Sequence, residues 1–285
     1  MILLDGKACA NHLNAKLKEK IAADTALGFR PPGLIVLMVG DNAASTIYVR
    51  NKERMAKDVG MFAKTVHLPE SIQETELTTL IHEFNAADDI DGILVQLPLP
   101  AHINATSCLL AISPTKDVDG FHPTNAGCLT LGLPGLRPCT PKGILALLRH
   151  YHLSPAGKHA VVVGRSNIVG KPLALMLAEP LEYANATVTI CHSQTTNLAA
   201  ICKSADFLFC SVGKPHFFDR NYVKEGAVVV DVGITRTENG IEGDANFADL
   251  ADHVLAISPV PGGVGPMTIA MLLQNTVQAW ESRRK

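Results

Sequence analysis

The sequence predicts an α/β fold of two α/β domains, the second a Rossmann-like dinucleotide-binding domain with a parallel sheet, and a cleft between the two. Strand-like and helix-like segments alternate along nearly the whole chain, as parallel sheets covered by helices require. A polar, Pro- and Gly-rich stretch over 113–141 separates two halves of ordinary domain size in 285 residues. In the second half, the apolar run Ala160-Val-Val-Val163 enters Gly164-Arg-Ser-Asn-Ile-Val-Gly170. That is the layout of a strand, a tight turn and a helix start facing a pyrophosphate.

The elements follow in order. Ala10, Leu13, Leu17 and Ile21 repeat at helical spacing, and Gly28 with Pro31 and Pro32 stops the helix. A strand is expected over 34–39, a helix over about 45–59 and a strand near 63–68. A helix near 76–85 puts Leu77, Leu80, Ile81 and Phe84 on one face. A strand over 92–97 closes the half. The second half opens on a helix from Pro141, a residue suited to a first turn. Strands are expected at 160–163, 187–191, 207–212 and 227–232, with a short one near 254–257. A stiff loop over 259–266 precedes a last helix, roughly 266–283, with Ile269, Leu273, Thr276 and Trp280 on one side. Periodicity alone does not assign that helix to either domain.

Composition narrows the function classes. Hydrophobic residues make up 47%, enough for sizeable cores, and the net charge is −2 with no basic stripe, so no nucleic-acid partner is expected. Neither a membrane-length apolar run nor a secretory leader is visible, since Asp5 and Lys7 interrupt the N-terminus. The seven cysteines are scattered and form no C-x-x-C pair, which predicts reduced thiols and a cytoplasmic protein. The eleven histidines lack zinc spacing, so no metal is expected.

The turn after 160–163 departs from two common phosphate motifs. Ser166 stands where G-x-G-x-x-G needs its second glycine. Five residues, rather than the four of a P-loop, separate Gly164 from Gly170, and Pro172 follows Lys171. An NAD site places an acid after the second strand to hold the ribose 2′-hydroxyl. Here 187–191 is followed by His192 and Ser193, while Glu179 and Glu182 precede the strand. A cation at Arg165 with a hydroxyl at Ser193 suits a 2′-phosphate, and so NADP.

The first half carries reactive groups. Ser45, Tyr48 and Lys52 share one helix face, just beyond the strand 34–39 where α/β sheets bind ligands. A lysine in such a place serves as general acid or base when its surroundings favour proton exchange. Gln96, at the end of the strand 92–97, offers a neutral amide to a substrate or to the lysine. Asp117 and Asp119 lie in the loop Lys116-Asp-Val-Asp-Gly120, and one of them can accept paired hydrogen bonds from an amino-heterocycle.

These residues sit in six segments: 39–52, 91–100, 116–123, 137–141, 164–172 and 259–268. In that order they resemble the bifunctional methylenetetrahydrofolate dehydrogenase/cyclohydrolase family, across nearly the whole chain. The resemblance implies a hydride transfer from methylenetetrahydrofolate to NADP, then hydrolysis of the methenyl product to 10-formyltetrahydrofolate. It implies catalytic roles for Lys52, Tyr48, Gln96 and Asp119. Lys52 is the general acid/base with Gln96 as its partner, Tyr48 orients the folate and Asp119 holds the pterin. Ser45, Pro261, Gly262 and Thr268 are further substrate contacts. Gly164, Arg165, Ser166, Ile168, Val169, Ser193 and Ile234 border the cofactor. The resemblance also implies a homodimer through the nucleotide domain, and a last helix that returns to the first domain. Expected boundaries are therefore 1–138 with 267–285, and 139–266. The family commonly reads Lys-x-Lys at the catalytic helix, whereas this chain has Lys52-Glu53-Arg54, with Glu53 expected to face elsewhere. Two alternatives are a dehydrogenase without the hydrolase step and a non-catalytic folate- or nucleotide-binding protein. Intact Lys52, Tyr48, Gln96 and Asp119 argue against both.

Overall fold

The computed structural model describes residues 1–238 and 240–284. The chain forms two compact units, His12–Cys139 with Ile269–Lys285, and Met1–Asn11 with Thr140–Thr268.

The first of these is built on a parallel sheet of three strands in the order Phe62–Leu68, Gly33–Val39, Gly92–Val95. The middle strand, Gly-Leu-Ile-Val-Leu-Met-Val, is buried at every position, as a strand covered on both faces must be. Ile35, Leu37 and Val39 pack with Ile93, Val95, Leu77, Ile81 and Cys108 in one core cluster. The helix Ala43–Asp58 starts where Asn42 Oδ1 accepts the Ser45 amide at 3.0 Å. The helix Glu74–Ala86 starts on a capping box of Gln73 and Glu76. The strand expected over 92–97 ends at Val95, and only the Gln96 amide continues the ladder, to Leu37 O at 2.8 Å. Pro98 then has no amide to pair.

Sequence periodicity overlooks two short capped helices here, Ala105–Ala111 behind Asn104 and Pro123–Thr130 behind His122. Residues 113–139 are therefore part of this unit rather than a plain linker. They are tied down by buried polar groups. Ile93 N donates to Lys116 O at 2.9 Å. The Lys116 ammonium, buried, donates to Phe84 O and Ala87 O at 2.9 and 2.7 Å, and burial pushes its pKa down to about 8. The last helix, Val264–Ser282, sends buried Asn275 into the same region, where Nδ2 donates to Val118 O and Arg137 O, both at 2.8 Å.

The other unit carries six parallel strands in the order Ile2–Leu3, Ala256–Ile257, Val228–Asp231, Phe207–Cys210, His159–Val163, Thr187–Cys191. From His159–Val163 the chain steps to one side for the next strand, then crosses to the other side for Phe207–Cys210. That reversal is the switch point of a doubly wound sheet. A two-stranded antiparallel hairpin, Thr235–Thr237 with Gly240–Glu242, and the short helices Leu198–Lys203 and Phe247–Leu250 also escape the sequence reading.

One expected boundary changes. The sequence reading assigns residues 1–138 to the first domain, but Met1–Asn11 groups with the six-stranded unit. Ile2 N donates to Leu255 O at 2.7 Å and Leu4 N to Ile257 O at 2.9 Å, completing the sheet edge. A strand of two residues has no periodicity to read. The seven cysteines are free thiols. Among the described residues, no helix is long and apolar enough to cross a membrane.

Asn275→Ala should destabilise the chain by about 2–4 kcal/mol, because the Val118 and Arg137 carbonyls lose a buried donor. A lowered urea midpoint at unchanged m-value checks this; an unchanged midpoint would exclude the clamp.

Candidate active site

In the three-stranded unit, the helix Ala43–Asp58 brings Tyr48 and Lys52 onto one face. The Lys52 side chain is buried, at 7% exposure, although it carries an amine. Its Nζ donates to Gln96 Oε1 at 2.9 Å and lies 5.8 Å from the centre of the Tyr48 ring. Gln96 Nε2 donates to Leu97 O at 2.7 Å. Only the amide nitrogen can make that bond, so the oxygen end faces Lys52. The amine thus has an acceptor that is neutral. Tyr48 is half-exposed, and burial of the rest raises its phenol pKa. Ser45 is buried on the first turn, where its amide goes to Asn42.

The two aspartates of the 116–120 loop differ sharply. Asp117 is buried, and its Oδ2 accepts from His122 N at 2.8 Å and Asn125 Nδ2 at 2.9 Å. It is consumed in folding the loop. Asp119 keeps partial exposure. Desolvation pushes its pKa up to about 6, nearby Lys52 pulls it down, and Asp117 adds to the rise. Cys139, which donates Sγ to Val118 O at 3.2 Å, also steadies the Asp119 carboxylate. Cys139, Asn125 and Asn275 support this loop; Cys139 lies in the segment 137–141, but its role and the two asparagines escape the sequence reading, because a side chain's partner elsewhere in the chain leaves no local pattern. Glu53 does face elsewhere: it takes Lys57 Nζ at 2.6 Å and Thr65 N at 3.2 Å.

In the six-stranded unit, the turn after His159–Val163 is a cradle that only glycine can line. Gly164 has φ +139°, and a Cβ there would lie 2.4 Å from Ser211 O. A Cβ on Gly170 would lie 2.1 Å from Gly164 O. The helix that follows the turn, Gly170–Ala178, begins only at the second glycine. Ser166 delays it: Oγ accepts Val169 N at 3.1 Å and Gly170 N at 3.3 Å, and Ser166 O accepts Lys171 N at 3.1 Å. The Ser166 oxygen is therefore engaged in capping, leaving its proton to donate. Arg165 and Ile168 are exposed beside it, and Val169 is half-buried.

The second strand, Thr187–Cys191, runs into a turn locked by Thr195, whose Oγ1 accepts His192 N at 2.8 Å and whose amide reaches His192 O at 2.9 Å. Ser193 sits exposed at its tip, with no carboxylate in the adjoining segment 192–195. The glycine cradle, the cation and the absent acid fit a dinucleotide bearing a 2′-phosphate. Ile234 is exposed just after Val228–Asp231. Pro261 is exposed, Gly262 has φ +111°, and Thr268 Oγ1 lies 3.0 Å from Thr140 Oγ1. Among the described residues, no group of three or more His, Cys, Asp or Glu is placed to hold a metal ion.

Residues 4–119 match the catalytic-domain model of tetrahydrofolate dehydrogenase/cyclohydrolase, and residues 138–284 match its NAD(P)-binding-domain model. The bifunctional protein FolD of Nitratidesulfovibrio vulgaris is 58% identical over 99% of both chains. The crystal structure of the bifunctional FolD dehydrogenase/cyclohydrolase of Campylobacter jejuni superposes with TM-score 0.95 at 46% identity over 100% of each chain. The Trypanosoma brucei enzyme, crystallised with NADP and an inhibitor, superposes with TM-score 0.92 at 34% identity, covering 99% of this chain and 98% of that one.

The Asp119 carboxyl should titrate near pH 6, and Lys52→Met should move it higher, because the opposing positive charge is removed. Carbon-detected NMR titration of the aspartate carboxyls reads both values. A midpoint near 4, or a downward move in the variant, would contradict the assigned environment.

Proposed function

The chain belongs to the tetrahydrofolate dehydrogenase/cyclohydrolase family, and on that premise we propose how its residues divide the two reactions. The activity is the NADP-dependent oxidation of 5,10-methylenetetrahydrofolate to 5,10-methenyltetrahydrofolate, followed by hydrolysis to 10-formyltetrahydrofolate. The observation that carries the assignment of roles is the buried Lys52 amine held by a neutral amide.

In the hydrolysis, water adds to the methenyl carbon and loses a proton to the Lys52 amine. The same proton is delivered to N5 as the carbon–N5 bond breaks. The second proton of the water leaves to solvent as the formyl group forms on N10. A carboxylate in place of Gln96 would bind the ammonium as an ion pair and oppose its release of a proton. The amide oxygen orients the nitrogen without that cost. Tyr48 offers its half-exposed ring as a packing face for the folate, and Ser45 completes this helix face. Asp119 accepts the pterin amino group and ring N–H. In support, Asp117 is buried with its Oδ2 taken by His122 and Asn125, whereas Asp119 keeps partial exposure.

When bound, NADP supplies the acceptor for the hydride that leaves the methylene carbon. Gly164 and Gly170 admit the pyrophosphate, Arg165 and Ser193 take the 2′-phosphate, and Ser166 donates its remaining proton. Ile168, Val169 and Ile234 border the dinucleotide, while Pro261, Gly262 and Thr268 contact substrate. The same reading makes the protein a cytoplasmic homodimer serving purine biosynthesis, without nucleic-acid or membrane partners. The terminal strand Thr187–Cys191, with Ile190 exposed, supports association through the nucleotide domain.

Lys52→Met should lower methenyltetrahydrofolate hydrolysis by ~10²–10⁴-fold, the range of general acid/base catalysis, while NADP binding persists. Hydrolysis at the wild-type rate would remove Lys52 from the mechanism. Arg165→Ala should raise KM for NADP by roughly 10-fold or more and leave weak use of NAD nearly unchanged, since a charge-assisted phosphate contact is lost. Equal effects on the two cofactors would show that Arg165 does not read the 2′-phosphate.

A further inference from the structure

The loop after Phe207–Cys210 meets the glycine turn at the switch point, where Ser211 O would lie 2.4 Å from a Cβ on Gly164. Its shape is imposed from elsewhere in the chain. Three successive amides, those of Val212, Gly213 and Lys214, donate to the carboxylate of Asp244. Val212 N and Gly213 N reach Oδ2 at 2.5 and 3.0 Å, and Lys214 N reaches Oδ1 at 2.8 Å. Asp244 is fully buried. Asp231 holds it in turn: Oδ1 accepts Asp244 N at 3.0 Å and Gly233 N at 2.9 Å, and Oδ2 accepts Ala245 N at 2.8 Å. The surroundings are closed. A Cβ on Gly233 would fall 2.3 Å from the Asp244 carboxylate, and one on Gly243 would fall 2.1 Å from Asp231 Oδ2.

A trans peptide points its carbonyl opposite to its amide. With the amides of 212–214 drawn onto Asp244, the carbonyls of 211–213 turn away from it, and Ser211 O accordingly lies against Gly164. The two sides of the switch point therefore have opposite polarity. The 164–170 side is backed by a helix N-terminus and carries Arg165, which suits anions. The 211–213 side presents carbonyl oxygens, which repel a phosphate and accept from a carboxamide or a hydroxyl.

We propose that Asp244 is a positioning residue for NADP, which fixes the polarity of the 212–214 loop and thereby the orientation of the bound dinucleotide. This rests on the NADP-dependent reading above. Asp244→Asn keeps the side-chain size but turns an NH₂ against backbone donors. Calorimetric titration should show NADP affinity falling roughly 10- to 100-fold, as expected when a hydrogen bond to a charged group is lost. Methenyltetrahydrofolate hydrolysis should stay within about twofold, and exchange of the 212–214 amides should accelerate. Wild-type protein that fails to bind NADP would refute the functional reading itself. Wild-type binding matched by equal binding in the variant would overturn the role of Asp244, as would a parallel loss of hydrolysis. Should the variant not fold, amide exchange in the wild-type chain decides. Protection of 212–214 before NADP is added supports the proposal, and protection only after its addition overturns it.

Discussion

Parallel strand pairing puts every strand's carboxyl end on the same edge of its sheet, and the candidate sites in both units depend on that constraint. In the three-stranded sheet, the register Leu37↔Val95 sets Gln96 just beyond one strand while the helix carrying Tyr48 and Lys52 starts just beyond its neighbour. In the six-stranded sheet, Val163 pairs with both Cys191 and Cys210. Gly164, Ser193 and Ser211 therefore emerge from one edge. Residues remote in the chain become neighbours without any local instruction to do so.

Beyond that edge, buried polar side chains shape the loops. Asp117, Lys116, Asn275, Asp231 and Asp244 are all buried and bond largely to main-chain groups. Each would be expensive to bury unpaired, so each specifies the loop conformation that satisfies it. Asp91 does the same beneath the sheet, taking Arg30 through two bonds of 2.6 and 2.9 Å and Gly33 N at 2.9 Å. Lys52 differs from these groups. It donates to a side-chain amide rather than to main chain, and that amide is neutral. An amine so held retains donors and a proton to exchange, which suits chemistry better than architecture.

The pair of aspartates in the 116–120 loop shows how one short motif divides its labour. Asp117 points into a nest of donors from 122 and 125, and Asp119 is left partly exposed near Lys52. Two acids of the same type, two positions apart, thus acquire opposite roles, and burial, with a smaller contribution from Asp117, raises the pKa of the one still available to a ligand.

The amino-acid order makes legible the α/β class, the long strands and helices, the glycine turn and the Ser45–Tyr48–Lys52 face. Periodicity and turn chemistry are local properties, and these elements are long enough to display them. It also determined the family, through motifs spread across nearly the whole chain. The folded chain, by contrast, has Met1–Asn11 complete the six-stranded sheet, Ser166 cap and delay its helix, and the last helix clamp the 116–120 loop through Asn275. It alone revealed the Asp231–Asp244 pair, whose carboxylates meet amides up to 32 positions away. A two-residue strand has no period, and a buried carboxylate carries no signature of the distant amides that will satisfy it. Those outcomes are fixed by long-range pairing, which exists only once the chain has folded.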